Sequence, residues 1–208
     1  MAACLTRESI ESLAVLRAIS EWQTGAFGPL RIHKTLFFAD KGNDLDWTLF
    51  TFKRWYLGQY SDTIAAAMNR LRNCGRIRSA YDGPSERIRA VLSPVERGRL
   101  RALFATHFSK WTRGFKTAFS EWAYLTNDQI VRKAHDDPSY TISKHGEIIL
   151  ESRLPELVEF SDLSDDEAES LTDMVDDRLQ TEIASRLARA VNRKVRAEDW
   201  KHIYFDGV

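Results

Sequence analysis

Apolar residues recur at helical spacing along much of the chain. In 6–21, Ile10, Leu13, Leu16 and Ile19, with Val15, form a stripe behind Thr6, a suitable cap. After Gly25 and Gly28-Pro29, the segment 30–40 is apolar at Ile32, Leu36, Phe37, Phe38 and Ala39, which predicts a helix deep in the core. A turn at 43–46 leads into 47–56, whose Thr, Phe, Trp and Tyr residues suit a short strand or an extended connector. Ser61 or Asp62 can cap a third helix, 63–73, with Ile64, Ala67, Met68 and Leu71 inward and Arg70 and Arg72 outward, ended by Gly75.

Segments 76–80 and 86–92 then alternate as two strands around the turn 81–85. Helix, helix, hairpin is the outline of a winged helix. The run Ser93-Pro94-Val95-Glu96 opens a long helical pattern reaching toward Leu125, with a break expected near Gly114. Another short helix starts at Thr126 or Asn127 and is stopped by Pro138. A last one follows the cap 163–167 and runs to about Lys194, with Leu171, Val175, Leu179, Ile183, Leu187 and Val191 inward. The expected fold is mainly α with one small antiparallel hairpin. Residues 1–125 form the core with its wing, and 126–208 a helical extension with an acidic segment, packed on it.

Composition narrows the function classes. The 208 residues are 43% hydrophobic and 29% charged, enough to bury a core. Thirty basic side chains balance thirty acidic ones, which excludes the overall basic excess of a nucleic-acid coat or polybasic membrane binder. The charge is nevertheless segregated: 66–133 holds 14 Lys/Arg against 5 Asp/Glu, and 134–182 holds 3 against 15. The basic middle therefore either meets the acidic stretch within the fold, is guarded by it until a partner displaces it, or is simply solvated. Two cysteines, Cys4 and Cys74, build neither a disulfide framework nor a Cys-rich metal site. With no apolar run of membrane-span length and no signal-peptide order at the start, a cytoplasmic protein is expected.

Catalytic patterns are sparse. The five histidines show no HExxH or paired spacing, and neither a phosphate-cradling glycine loop nor a nucleophile elbow occurs. His107, His135-Asp136 and Asp177 loosely echo a metal-dependent HD phosphohydrolase, a remote alternative needing several converging ligands. No cofactor or metal is expected, and binding is favoured over chemistry.

The words His33-Lys34-Thr35-Leu36-Phe37-Phe38-Ala39-Asp40, Trp55-Tyr56-Leu57-Gly58-Gln59-Tyr60-Ser61 and Leu71-Arg72-Asn73-Cys74-Gly75-Arg76-Ile77 resemble the Panacea, or SocA-like, antitoxin domain. That family usually has Pro after the glycine of the second word, where this chain has Gln59. The resemblance implies a non-catalytic protein of a toxin–antitoxin, mobile-element or phage-defence locus. It would bind a cognate toxin stoichiometrically or present it to protease machinery.

Two surfaces suit such a partner. One is an aromatic groove of Trp55, Tyr56, Gln59 and Tyr60 rimmed by Lys53-Arg54, within a dense cluster that includes Trp47, Phe50 and Phe52. The other is an acidic mask at Asp165, Asp166 and Glu167. Ordinary core packing also accounts for the aromatics. The alternative from another class is a winged-helix DNA-binding regulator using Arg70, Arg72, Arg76, Arg78, Arg87 and Arg89. Trp111, Phe115, Phe119 and Trp122 make a packing stripe or a homodimer seam.

Overall fold

The computed structural model describes residues 3–22, 28–42, 48–83, 85–122 and 124–176. Trp47, the 43–46 turn and everything after 176, including Asp177 and the later positions of the last expected stripe, lie outside them. The element order is β1 (Ala3–Thr6), α1 (Arg7–Glu21), α2 (Pro29–Lys41), β2 (Phe52–Trp55), β3 (Gly58–Tyr60), α3 (Asp62–Asn73), β4 (Ile77–Asp82), β5 (Ser85–Ala90), α4 (Pro94–His107), α5 (Ser109–Trp122), α6 (Asn127–His135), α7 (Pro138–Ile142), β6 (Ile148–Leu150), β7 (Leu157–Phe160) and α8 (Asp165–Asp173). The protein is mainly α with a small β component.

The caps legible in the chain set the helix starts. Thr6 accepts from the Ser9 N–H, and Ser61 from the Ile64 N–H. Ser93, Thr126 and Ser164 each close a capping box with the residue three positions on. Gly75, at φ +71°, terminates the α3 end as expected.

α1 is the central post rather than an amphipathic surface helix: every residue from Ile10 to Ser20 is buried, including Glu11 and Arg17. α3 packs on one side of it, while α2 packs chiefly against α5. The α5 stripe is therefore core: Trp111, Phe115 and Trp122 are buried, with Trp111 stacked on Phe115 at 5.4 Å and Trp122 on Phe38 at 4.5 Å.

The helical break falls at Phe108, not at Gly114. At Phe108 the chain turns so that Phe108 and Trp111 both close on Phe104, each with ring centroids 5.1 Å apart. Gly114 is buried within α5. Pro138 both follows the end of α6 and starts α7, capped by Asp137. Within the described residues the last expected helix ends at Asp173, and Met174 and Val175 follow it as a turn with buried side chains.

Among the described residues three small sheets replace the single expected hairpin, because two of them pair segments far apart in sequence. β1 pairs antiparallel with β7, and β2 lies between β3 and β6, while β4–β5 is the expected local hairpin. Residues beyond 125 thus supply strands to sheets begun in the first half of the chain.

Candidate functional site

The strands β2 and β3 form a hairpin in which Trp55 faces Gly58 across the two-residue turn Tyr56-Leu57. Gly58, the first residue after the turn, takes the left-handed φ of +99° that glycine adopts without strain. An added Cβ there would meet Lys34 Nζ at 2.8 Å and the Ala134 Cβ at 2.9 Å. The turn consequently presents its side chains to solvent: Trp55 is 40% exposed, Tyr56 72% and Leu57 55%.

These rings are held in place. His145 packs on both, 4.7 Å from Trp55 and 4.2 Å from Tyr56, and Trp55 lies 6.0 Å from Tyr60. His135 Nε2 is 3.2 Å from the Tyr56 carbonyl, an acceptor that requires the N–H on that nitrogen. Tyr140 Oη donates to the Trp55 carbonyl at 3.2 Å, and its ring stacks on His135. Loop 143–147 is tied to β2 by the Arg54 N–H to the Glu147 carbonyl and the Gly146 N–H to the Arg54 carbonyl, both 2.9 Å.

The expected basic rim is present but committed. Lys53 lies over Trp55 and Tyr60 and pairs with Asp62, while Arg54 lies over Tyr140 and donates to the Ser143 carbonyl.

Beneath the turn lies a buried polar layer from α2. Lys34, 2% exposed, donates its ammonium to the Gln59 carbonyl, and burial lowers its pKa from 10.5 to about 7. His33 accepts from the Ser61 N–H through Nδ1 and stacks on Tyr60 at 4.5 Å. Burial, and secondarily the charge of Lys34, depress its pKa to about 3, so the ring is neutral. At the other end of α2, Asp40 accepts from the Phe50 N–H and from Trp111 Nε1, each at 2.9 Å. Burial raises its carboxyl to about 7 against those hydrogen bonds.

This layer corrects two expectations. Gln59 is not a surface contact: it is fully buried, and its amide donates to the Ala134 carbonyl. Phe50 and Phe52 are likewise core, leaving Trp55 and Tyr56 as the exposed part of the aromatic run and Tyr60 half-buried beside them. His135, Tyr140 and His145, which brace the turn, carry no local signal, because only the chain's return from α5 brings them there.

The acidic set sits elsewhere, on the first turn of α8. Glu167 closes the Ser164 capping box, which holds its carboxyl below the usual range, and Asp165 and Asp166 complement the helix N-terminus. That local role accounts for all three. Among the described residues the acidic stretch meets the basic middle beside α4, where Arg99 donates to Ser170 and helps lower the Glu167 carboxyl and His107 lies 3.6 Å from Asp162; most ion pairs of the basic middle lie elsewhere. Among the described residues Arg70 pairs with Glu8, Arg72 with Glu86, Arg76 with Glu96, Arg101 with Glu21 and Lys133 with Glu121.

The six arginines of the winged-helix reading therefore divide. Arg70, also bonded to Ser12, and Arg72, also bonded to Ser79 and Asn69, are tied down on α3, as is Arg76 just after it. Arg78, Arg87 and Arg89 are exposed on the hairpin. The histidines of the phosphohydrolase reading are engaged separately, His107 against Asp162 and Phe160 and His135 under the aromatic turn. Among the described residues no three His, Cys, Asp or Glu side chains gather as a metal-holding group, and no helix is long and apolar enough to cross a membrane.

Compared with models of known protein families and with curated protein sequences, the chain matches none.

Proposed function

We propose that this protein acts as an antitoxin-like binder that neutralises a cognate toxin stoichiometrically through the β2–β3 turn. The observation that carries the reading is the exposure of Trp55, Tyr56 and Leu57 on a turn braced from four sides, by Lys34, His135, Tyr140 and loop 143–147. Exposed aromatics that need no reordering on binding are what concentrates affinity in a few residues. The resemblance of the α2, turn and α3 words to the Panacea domain supports the same reading, and the first two of those words meet in space through Lys34–Gln59 and His33–Ser61.

Occlusion is the proposed mode of action: the turn seats against an apolar segment of the toxin and holds it away from its target. Handing the toxin to a protease would use the same contact. The test is co-expression with the protein encoded beside this one, read as growth and as a complex by size exclusion with light scattering. Wild type should restore growth and give a complex of fixed stoichiometry, and Trp55→Ala/Tyr56→Ala should abolish both. Full neutralisation by that variant would refute the turn as the contact, and failure of the wild type would refute the antitoxin reading.

A further inference from the structure

At the base of the β4–β5 hairpin, two charges that the fold does not use stand beside apolar surface that it leaves half-covered. The alternation of the strands buries Ile77 and Ile88 on one face, which puts Arg78 and Arg89 on the other. The register sets these two directly opposite each other, and like charges paired across strands are destabilising. Among the described residues neither has a hydrogen bond or ion pair, whereas Arg87 on the same strand is engaged. The neighbouring carboxylates are taken, Glu86 by Arg72 and Ser79 and Glu96 by Arg76 and the Ser93 N–H.

Past the arginine pair the Val91 N–H donates to the Arg76 carbonyl at 2.7 Å, so the strand pairing continues one step further. Val91 therefore follows Arg89 on the outward face, about 7 Å along the strand. An open groove of about 470 Å³ lies here. Its walls include Arg78 and Arg89, the half-buried Ala90, Val91 and Leu92, and Arg76 with Glu96, which neutralise each other at 2.7 Å. What the groove offers a ligand is two unspent guanidinium groups next to an apolar strip.

We propose that this groove docks an extended segment of a partner protein in which an acidic residue stands two positions from an apolar one. An extended chain puts side chains i and i+2 on one side, about 7 Å apart, which is the step from Val91 to Arg89. An apolar side chain seated on Val91 and Leu92 thereby brings a carboxylate to Arg78 and Arg89, whose planar forks suit it. Arginine around an apolar centre is the composition of a protein interface. A small anion leaves the apolar strip uncovered, and a duplex phosphate backbone gains nothing from that strip and meets only two free cations. A second copy of the chain is the competing occupant: its β7 exposes Leu157 and Glu159 two positions apart, but that strand is held against its own core by β1, Val158 and Phe160. The groove is separate from the β2–β3 turn, and its role does not rest on the antitoxin reading.

The test is two-dimensional NMR of the nitrogen-15-labelled full chain, titrated to about 5 mM with the end-blocked synthetic peptide Gly-Ser-Leu-Ser-Glu-Ser-Gly. The backbone signals of Val91 and Leu92 and the Nε–H signals of Arg78 and Arg89 should shift together and saturate, with a Kd below about 1 mM. Arg78→Ala/Arg89→Ala should weaken binding by roughly fivefold or more, as should Gln in place of the peptide's Glu or Gly in place of its Leu. The alanine variant should melt no lower than wild type, since it removes a repulsion, which shows that any lost binding is not lost folding. Arg78→Lys/Arg89→Lys, which keeps the charge without the fork, should fall between wild type and the alanine variant.

No saturable shift at these signals, undiminished binding by the alanine variant, or undiminished binding of the peptide without Leu would each overturn the proposal. So would a short DNA duplex that moves the same signals at lower concentration than the peptide. Dimerisation of the peptide-free protein that moves them and is lost in Glu159→Lys would overturn it too, and would give the groove to a second copy. Trp55→Ala separates the proposal from the antitoxin reading, because that change should not affect peptide binding.

Discussion

Lys34→Met tests whether a buried cation really pins the aromatic turn. The ammonium sits 2% exposed, and burial lowers its pKa from 10.5 to about 7. At about 1.36 kcal/mol per pH unit, that fall is a penalty of about 5 kcal/mol on the charged form. The unfolded chain holds this proton up to pH 10.5, while the folded chain loses it near 7. Unfolding between those values therefore takes up a proton, and the wild-type stability gains about 1.36 kcal/mol per pH unit from this residue as pH rises. Below pH 7 the penalty is constant.

Methionine has similar length and no charge, so it escapes the penalty but leaves the Gln59 carbonyl without its donor, at about 1–3 kcal/mol. At pH 6 the variant should be more stable than wild type by roughly 2–4 kcal/mol, and by pH 10, where about 0.8 kcal/mol of the penalty remains, it should be less stable by about 0–2 kcal/mol. The assay is urea unfolding of both proteins in parallel from pH 6 to 10. Taking the difference cancels groups that titrate alike in both. A difference that stays flat across pH 7–10 would refute the reasoning, since it would mean Lys34 titrates as a solvated lysine. A linked outcome concerns the turn itself: without its donor below, the variant should lose affinity for the toxin even where it is more stable.

Gly58→Ala should destabilise by about 1–3 kcal/mol, because φ +99° is strained for an L-residue and the new methyl meets Lys34 and Ala134, as thermal melts would show. An unchanged melting temperature would count against the tight turn. Asp40→Ala should cost about 2–5 kcal/mol in denaturant unfolding, since the Phe50 and Trp111 N–H groups lose their acceptor. The wild-type Asp40 carboxyl, raised to about 7, binds its proton more tightly folded than unfolded. Its contribution is therefore present below about pH 4 and is lost as pH rises toward 7, a slope Asp40→Ala should lack.

Local chemistry in the chain was enough for the helix starts and the β4–β5 hairpin. A hydroxyl cap followed by an acid or amide three positions later satisfies helix N–H groups with neighbours in sequence, as at Ser93, Thr126 and Ser164. Alternation around Tyr81-Asp82-Gly83-Pro84-Ser85 likewise needs only a turn. The break at Phe108 was not readable, because Gly114 has the lower helix propensity while the closing of three aromatic rings selects the bend. Strands β1, β6 and β7 were silent for the same kind of reason: their partners lie far away in sequence, and no local pattern encodes such pairing.

The candidate site divides along that line. The aromatic word from Trp55 to Ser61 and the arginines from Arg70 to Arg89 stand in the sequence, which thus determined the residue types available for binding. Only the tertiary structure decided which of them face outward. Gln59 is drawn under the turn by the Ala134 carbonyl, Arg70 and Arg72 are claimed by Glu8 and Glu86, and Arg78 and Arg89 are left facing each other. Burial and ion pairing depend on which distant groups arrive beside a side chain, and that is a property of the packed chain rather than of any stretch of it.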